Sequence, residues 1–142
     1  SARALPVCLC RRIRQLLPEQ QNPTILDRIV RRWIEYEPQT GVEWLRTQPV
    51  TPMLDAPRSD YIHSLSHRNP DIAVQWTQTI SDPKRRAGTE EHAAWHWYRR
   101  DPNAALSYVE QSGLSPDAKK RFAERAVNDR REAERRQAEQ KK

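Results

Sequence analysis

All four histidines of the chain fall in two His-x-x-x-His pairs, His63/His67 and His92/His96. Residues four apart share a helix face, so each pair presents two imidazoles side by side. Neutral imidazole is the commonest metal ligand, and this spacing suits zinc. The metalloprotease pattern is absent, because Glu91 precedes His92 rather than following it, and no general base is placed beside a metal-bound water. The plain alternative is four polar rings on helix surfaces. No residue is assigned as a metal ligand from the sequence.

Basic pairs and triplets are the second candidate chemistry: Arg11-Arg12, Arg31-Arg32, Lys84-Arg85-Arg86 and Arg99-Arg100. Spaced along a helical array, such groups can follow a phosphate backbone. Lys84-Arg85-Arg86 follows a helix start, where the macrodipole disfavours positive charge. A bound anion would offset that. Most tryptophans recur beside Ile, Leu and Ala at helical spacing and read as core. Trp95 falls on a different face from Trp97 and is expected to be exposed, as an interface anchor is. The candidate partner-binding residues are therefore Trp95, Arg99, Arg100, Lys84, Arg85 and Arg86.

Other chemistry finds no support. No serine sits in a Gly-x-Ser-x-Gly setting, there is no Gly-rich phosphate loop, and acidic residues scatter at helix caps, so no enzyme and no cofactor is expected. Cys8 and Cys10 are too close for an unstrained disulfide, and with no further cysteine they read as free thiols. The opening segment is too short and interrupted for a signal peptide. No apolar run approaches the ~20 residues of a membrane-spanning helix.

The elements that position these groups come from an internal repeat. Glu37-Pro38-Gln39-Thr40-Gly41-Val42-Glu43-Trp44, Asn69-Pro70-Asp71-Ile72-Ala73-Val74-Gln75-Trp76 and Asp101-Pro102-Asn103-Ala104-Ala105-Leu106-Ser107-Tyr108 are spaced 32 residues apart. The register extends upstream through Trp33, Leu65 and Trp97, and through Ile29, Tyr61 and Ala93. Self-similarity at this period marks a helical repeat. Pro23, Pro70, Pro83, Pro102 and Pro116 each follow Asn, Asp or Ser, and each starts a helix at no cost in hydrogen bonds. Helices are expected at about 24–36, 39–47, 58–68, 71–80, 84–100, 103–112 and from Ser115-Pro116 onward, with a proline-rich loop over 49–57 and a short turn of helix at 11–17. In this register His92 and His96 correspond to positions 60 and 64. Those positions share a flank with His63 and His67, so the four rings can converge between helices packed ~8–10 Å apart.

The chain has 142 residues, 36% hydrophobic and 31% charged, too little apolar material for a thick core but enough for a thin stack of helices. Its net charge of +6 sits at the two ends. Residues 1–36 carry seven basic and three acidic groups, residues 37–117 eight and eleven, and residues 118–142 ten and five. Basic ends invite a nucleic-acid partner, and solvated helix surface is the simpler reading.

The Asp-Pro-Asn-x-Ala-x-x-Tyr segment at 101–108 resembles the junction of tetratricopeptide repeats. That resemblance implies protein or peptide binding on a concave face. The period here is 32 rather than about 34, and the small residues that the family places where its two helices cross are expected elsewhere, so no peptide-clamping position is carried over. The expected architecture is all-α: a solenoid of about three helical hairpins over 23–117, a lead-in over 1–22, and a basic, highly charged helix or tail over 118–142. The expected role is a non-enzymatic protein–protein interaction module. Nucleic-acid binding through the basic ends and metal binding by the histidine cluster are the alternatives. An uncapped repeat end could also pair with a second copy.

Overall fold

The computed structural model describes residues 22–142. Residues 1–21, with Cys8, Cys10, Arg11, Arg12 and the turn of helix expected at 11–17, lie outside the described residues. Within them the chain is all-helical, with no strand. We number its helices α1 (Pro23–Tyr36), α2 (Pro38–Thr47), α3 (Asp55–Arg68), α4 (Pro70–Trp76), α5 (Pro83–Tyr98), α6 (Pro102–Gln111) and α7 (Pro116–Gln140). Short 3-10 turns cover Pro52–Leu54 and Thr77–Thr79.

The three short helices start at Pro38, Pro70 and Pro102, the first two reached through one residue and the third through Arg99, Arg100 and Asp101. Glu37, Asn69 and Asp101 stand at the N-caps of these helices, with φ/ψ of −135/75°, −138/72° and −141/88°. Their amides donate to Trp33 O, Leu65 O and Trp97 O at 2.8, 2.7 and 2.8 Å. The residue before proline is driven out of the α region, which ends the first helix there. The proline that follows gives up a donor the second helix does not use. Asn22, Asp82, Asp101 and Ser115 accept from the backbone amides of Thr24, Arg85, Ala104 and Ala118. Asn69 makes no such side-chain bond.

Two boundaries depart from expectation. α3 begins at Asp55 rather than near residue 58 and takes Pro57 into its first turn, where amides have no intrahelical acceptor. α4 ends at Trp76, and the chain tightens into a 3-10 turn before Ile80.

Successive long helices pack together, α1 on α3, α3 on α5 and α5 on α7. Each short helix packs on the long helix before it, and α4 and α6 also pack on the long helix after them. The main core holds Ile62, Leu65, Ala73, Val74, Ile80, Ala93, Ala94, Tyr98, Ala105, Val109, Phe122 and Ala126. A smaller cluster of Val30, Leu45 and Leu54 sits under α1 and α2, and Tyr61 and Trp76 pack against both. Aromatic pairs recur at the corners: Trp33 with Trp44 at 5.5 Å, Trp97 with Tyr108 at 5.5 Å, and Tyr61 with Trp76 at 4.9 Å.

α7 carries buried Ala118, Phe122 and Ala126, so its first three turns complete the core rather than forming part of a separate tail. From Val127 to Lys142 every residue is exposed.

The small residue of the repeated motif is buried in all three units, as Gly41, Ala73 and Ala105. At Gly41 the approach is closest, and a Cβ there would stand 3.0 Å from Ile34 Cγ1 and 3.1 Å from Ile34 N. Gly41→Val is therefore expected to destabilise the fold by about 1–3 kcal/mol through overpacking. A urea midpoint equal to the parent's would show that α1 and α2 separate freely.

Candidate functional site

Side chains on α1, α3, α5 and α7 reach across each junction between successive long helices. At the first junction Arg31 on α1 pairs with Asp60 on α3 at 2.6 Å and with Asp27 on its own helix at 3.1 Å. Burial raises the Asp60 pKa, Arg31 opposes that rise, and Asp27 adds to it.

At the α3–α5 junction the four histidines meet. Ring centroids stand 4.4 Å apart for His63–His92, 4.7 Å for His92–His96, 4.3 Å for His96–His67 and 6.5 Å for His67–His92. His63 and His67 are exposed, while His92 and His96 are half-buried. His63 Nδ1 lies 2.7 Å from Ser59 O. A carbonyl oxygen only accepts, so Nδ1 carries the proton and Nε2 keeps its lone pair. His92 Nε2 is buried and makes no hydrogen bond. Burial first, and then the neighbouring rings and Arg125, lower the His92 pKa to about 4. His96 is lowered too, by burial and then by His67 and Arg99.

At the last junction Arg121 on α7 reaches Glu91 on α5 at 3.5 Å. A cleft of about 380 Å³ opens there between Gly88, Glu91, His92, Arg121, Phe122 and Arg125.

The residues chosen from sequence differ in their surroundings. Trp95 does point away from Trp97, but α7 covers it. It stacks on Tyr98 at 4.8 Å, meets Phe122 edge-on at 5.7 Å, and carries the Arg125 guanidinium 3.6 Å above its ring. Arg100 spans one repeat length backward and donates to Arg68 O at 2.6 Å and His67 O at 2.7 Å, closing the end of α3. Arg86 donates to Ile80 O and Ser81 O, bracing the turn before α5. Lys84, Arg85 and Arg99 are exposed.

Sequence reasoning missed Asp55, Arg58 and Glu90, all buried. The Arg58 guanidinium donates to Leu45 O, Gln48 O, Pro49 O and Thr79 O at 2.9–3.3 Å. Asp55 accepts from Ser81 N, Ser81 Oγ and Asp82 N at 2.7–3.0 Å. Burial alone would raise the Asp55 pKa, but these bonds, with Arg85, hold it below the ordinary carboxylate range. Glu90 accepts from Tyr108 Oη at 2.6 Å. The signal was available, because Leu26, Arg58, Glu90 and Phe122 share one register position, and a charge in an apolar slot asks for a buried partner.

No family model, no curated protein and no solved structure matches the chain. Among the described residues, no helix is long and apolar enough to cross a membrane.

Proposed function

We propose that the chain is a non-enzymatic protein–protein interaction module, a loosely tetratricopeptide-like solenoid of three helical hairpins with a charged C-terminal helix. The observation that carries this reading is the alternation of contacts, long helix on long helix with short helices packed beside them. Such a stack spends one side of each long helix on its short partners and leaves the junctions between long helices as a continuous surface. Arg31, Asp60, His63, His96, Arg121 and Arg125 stand at those junctions. A surface of this polarity suits a partner presenting carboxylates and amides rather than a bare apolar helix.

The exposed end of α7 gives nucleic acid little to hold. Residues 127–142 carry six basic and four acidic groups, and Arg136 pairs with Glu132 within the helix. The decisive experiment is fluorescence anisotropy with an Asp/Glu-rich peptide pool and with single- and double-stranded RNA and DNA, at low and physiological salt. The full chain is compared with a version ending at Asp129, which keeps Phe122 and Ala126. We expect saturable peptide binding by both forms, weakened in an Arg121→Glu/Arg125→Glu variant. Nucleic-acid binding that survives physiological salt and disappears with residues 130–142 would replace this reading.

A further inference from the structure

Two His-x-x-x-His pairs on separate helices meet ring to ring across one junction, and nothing in the interaction-module reading uses them. We propose that His63, His67, His92 and His96 form a binding site for one divalent first-row transition-metal ion, such as zinc or nickel, that ties α3 to α5.

Spacing is the first support. An ion about 2.0–2.1 Å from each imidazole nitrogen lies about 3 Å from each ring centroid, so four rings around it stand roughly 5 Å apart. Four of the six ring pairs stand near that distance, at 4.3, 4.4, 4.7 and 6.5 Å, with the rings running in the order His63, His92, His96, His67. Donor chemistry is the second. The Nδ1–H of His63 is held by Ser59 O, which fixes the tautomer and aims the Nε2 lone pair outward, as a backbone carbonyl does behind many metal-bound histidines. His92 Nε2 is buried without a hydrogen-bond partner, and an ion would supply one.

As the rings stand, they tilt against one another by 39–79°, and no three His, Cys, Asp or Glu side chains among the described residues are already set around an ion. Closing the site requires the rings to rotate. The χ2 torsion of histidine is soft, and His63 and His67 are exposed. Charge cuts both ways: Arg99, Arg100 and Arg125 face the cluster and oppose a dication, while Asp60 beside His63 favours it. An all-imidazole set selects transition metals over magnesium and calcium, which take oxygen ligands.

The test is calorimetric titration of the EDTA-stripped full chain with zinc chloride and nickel chloride near neutral pH, with magnesium chloride as control. Imidazole ¹⁵N spectra are recorded alongside. We expect one ion per chain, shifted histidine ring resonances, and affinity lowered by about tenfold or more in His63→Gln and in His96→Gln. A Cys8→Ser/Cys10→Ser variant should bind as the parent does. His63 is exposed and His96 half-buried, and circular dichroism checks that each variant folds. The proposal is overturned by no saturable zinc or nickel binding, by binding indifferent to both histidine changes, or by binding that only the cysteine variant loses.

Discussion

Arg58→Leu is expected to remove about 3–5 kcal/mol of unfolding free energy, the largest loss of any single change away from the apolar core. Its guanidinium is fully buried and gathers four carbonyls, from the end of α2, the loop behind it and the turn after α4. A leucine fills much of the volume but donates nothing, so the carbonyls it strands inside lose their partners. Each stranded group costs about 1–3 kcal/mol, and the total is smaller than the sum because the loop can open to water. Arg58→Lys keeps the charge and a single donor centre without the planar fork, so it should recover only part of the loss. Urea unfolding decides this. Parent-like midpoints in both variants would mean that the loops hold themselves.

Arg58 also shows where sequence reasoning stops. The helices and most of their inward faces follow from the proline landmarks and the 3.6 period, because each rests on chemistry within a few residues. Leu45, Ile62, Ala94 and Val109 are buried where the spacing puts them. The connections between units depend on contacts far apart in sequence: Asp55 reaches Ser81 and Asp82, and Arg58 reaches Thr79. Local propensity says nothing of such reach, so the proline-rich stretch over 49–57 read as a loop although α3 already begins inside it.

The candidate site divides in the same way. Convergence of the histidines was legible, since the pairs, the register and the spacing of packed helices are enough to bring the rings together. Trp95 was not. Its face was placed correctly, but its exposure depended on α7, whose segment around Phe122 read as part of a basic, highly charged helix or tail. One phenylalanine and two alanines are a weak apolar signal, yet they suffice because Trp95 and Tyr98 supply the other half of the contact.

Acid should loosen the α3–α5 junction of the metal-free chain before it titrates most carboxylates. His92 is held near pKa 4 by burial and then by His63, His96, His67 and Arg125, against an ordinary value of 6.5. The folded state therefore takes up its proton later than the unfolded state does. Stability from this ring is fully present above pH 6.5 and falls as pH drops from there towards 4. The full shift corresponds to about 3 kcal/mol, and solvent screening at a half-buried ring reduces the expected loss between pH 7 and pH 4.5 to about 1–2 kcal/mol. His96 moves in the same direction and adds to the slope. The depressed Asp55 carboxyl contributes only lower down, since its stability is lost as pH falls through its folded value. The measurement is urea unfolding of parent and His92→Gln in EDTA across this range. The parent should lose stability more steeply than the variant between pH 6.5 and 4.5, with the two curves running parallel above pH 7. Parallel curves throughout would mean that His92 protonates as freely in the fold as out of it.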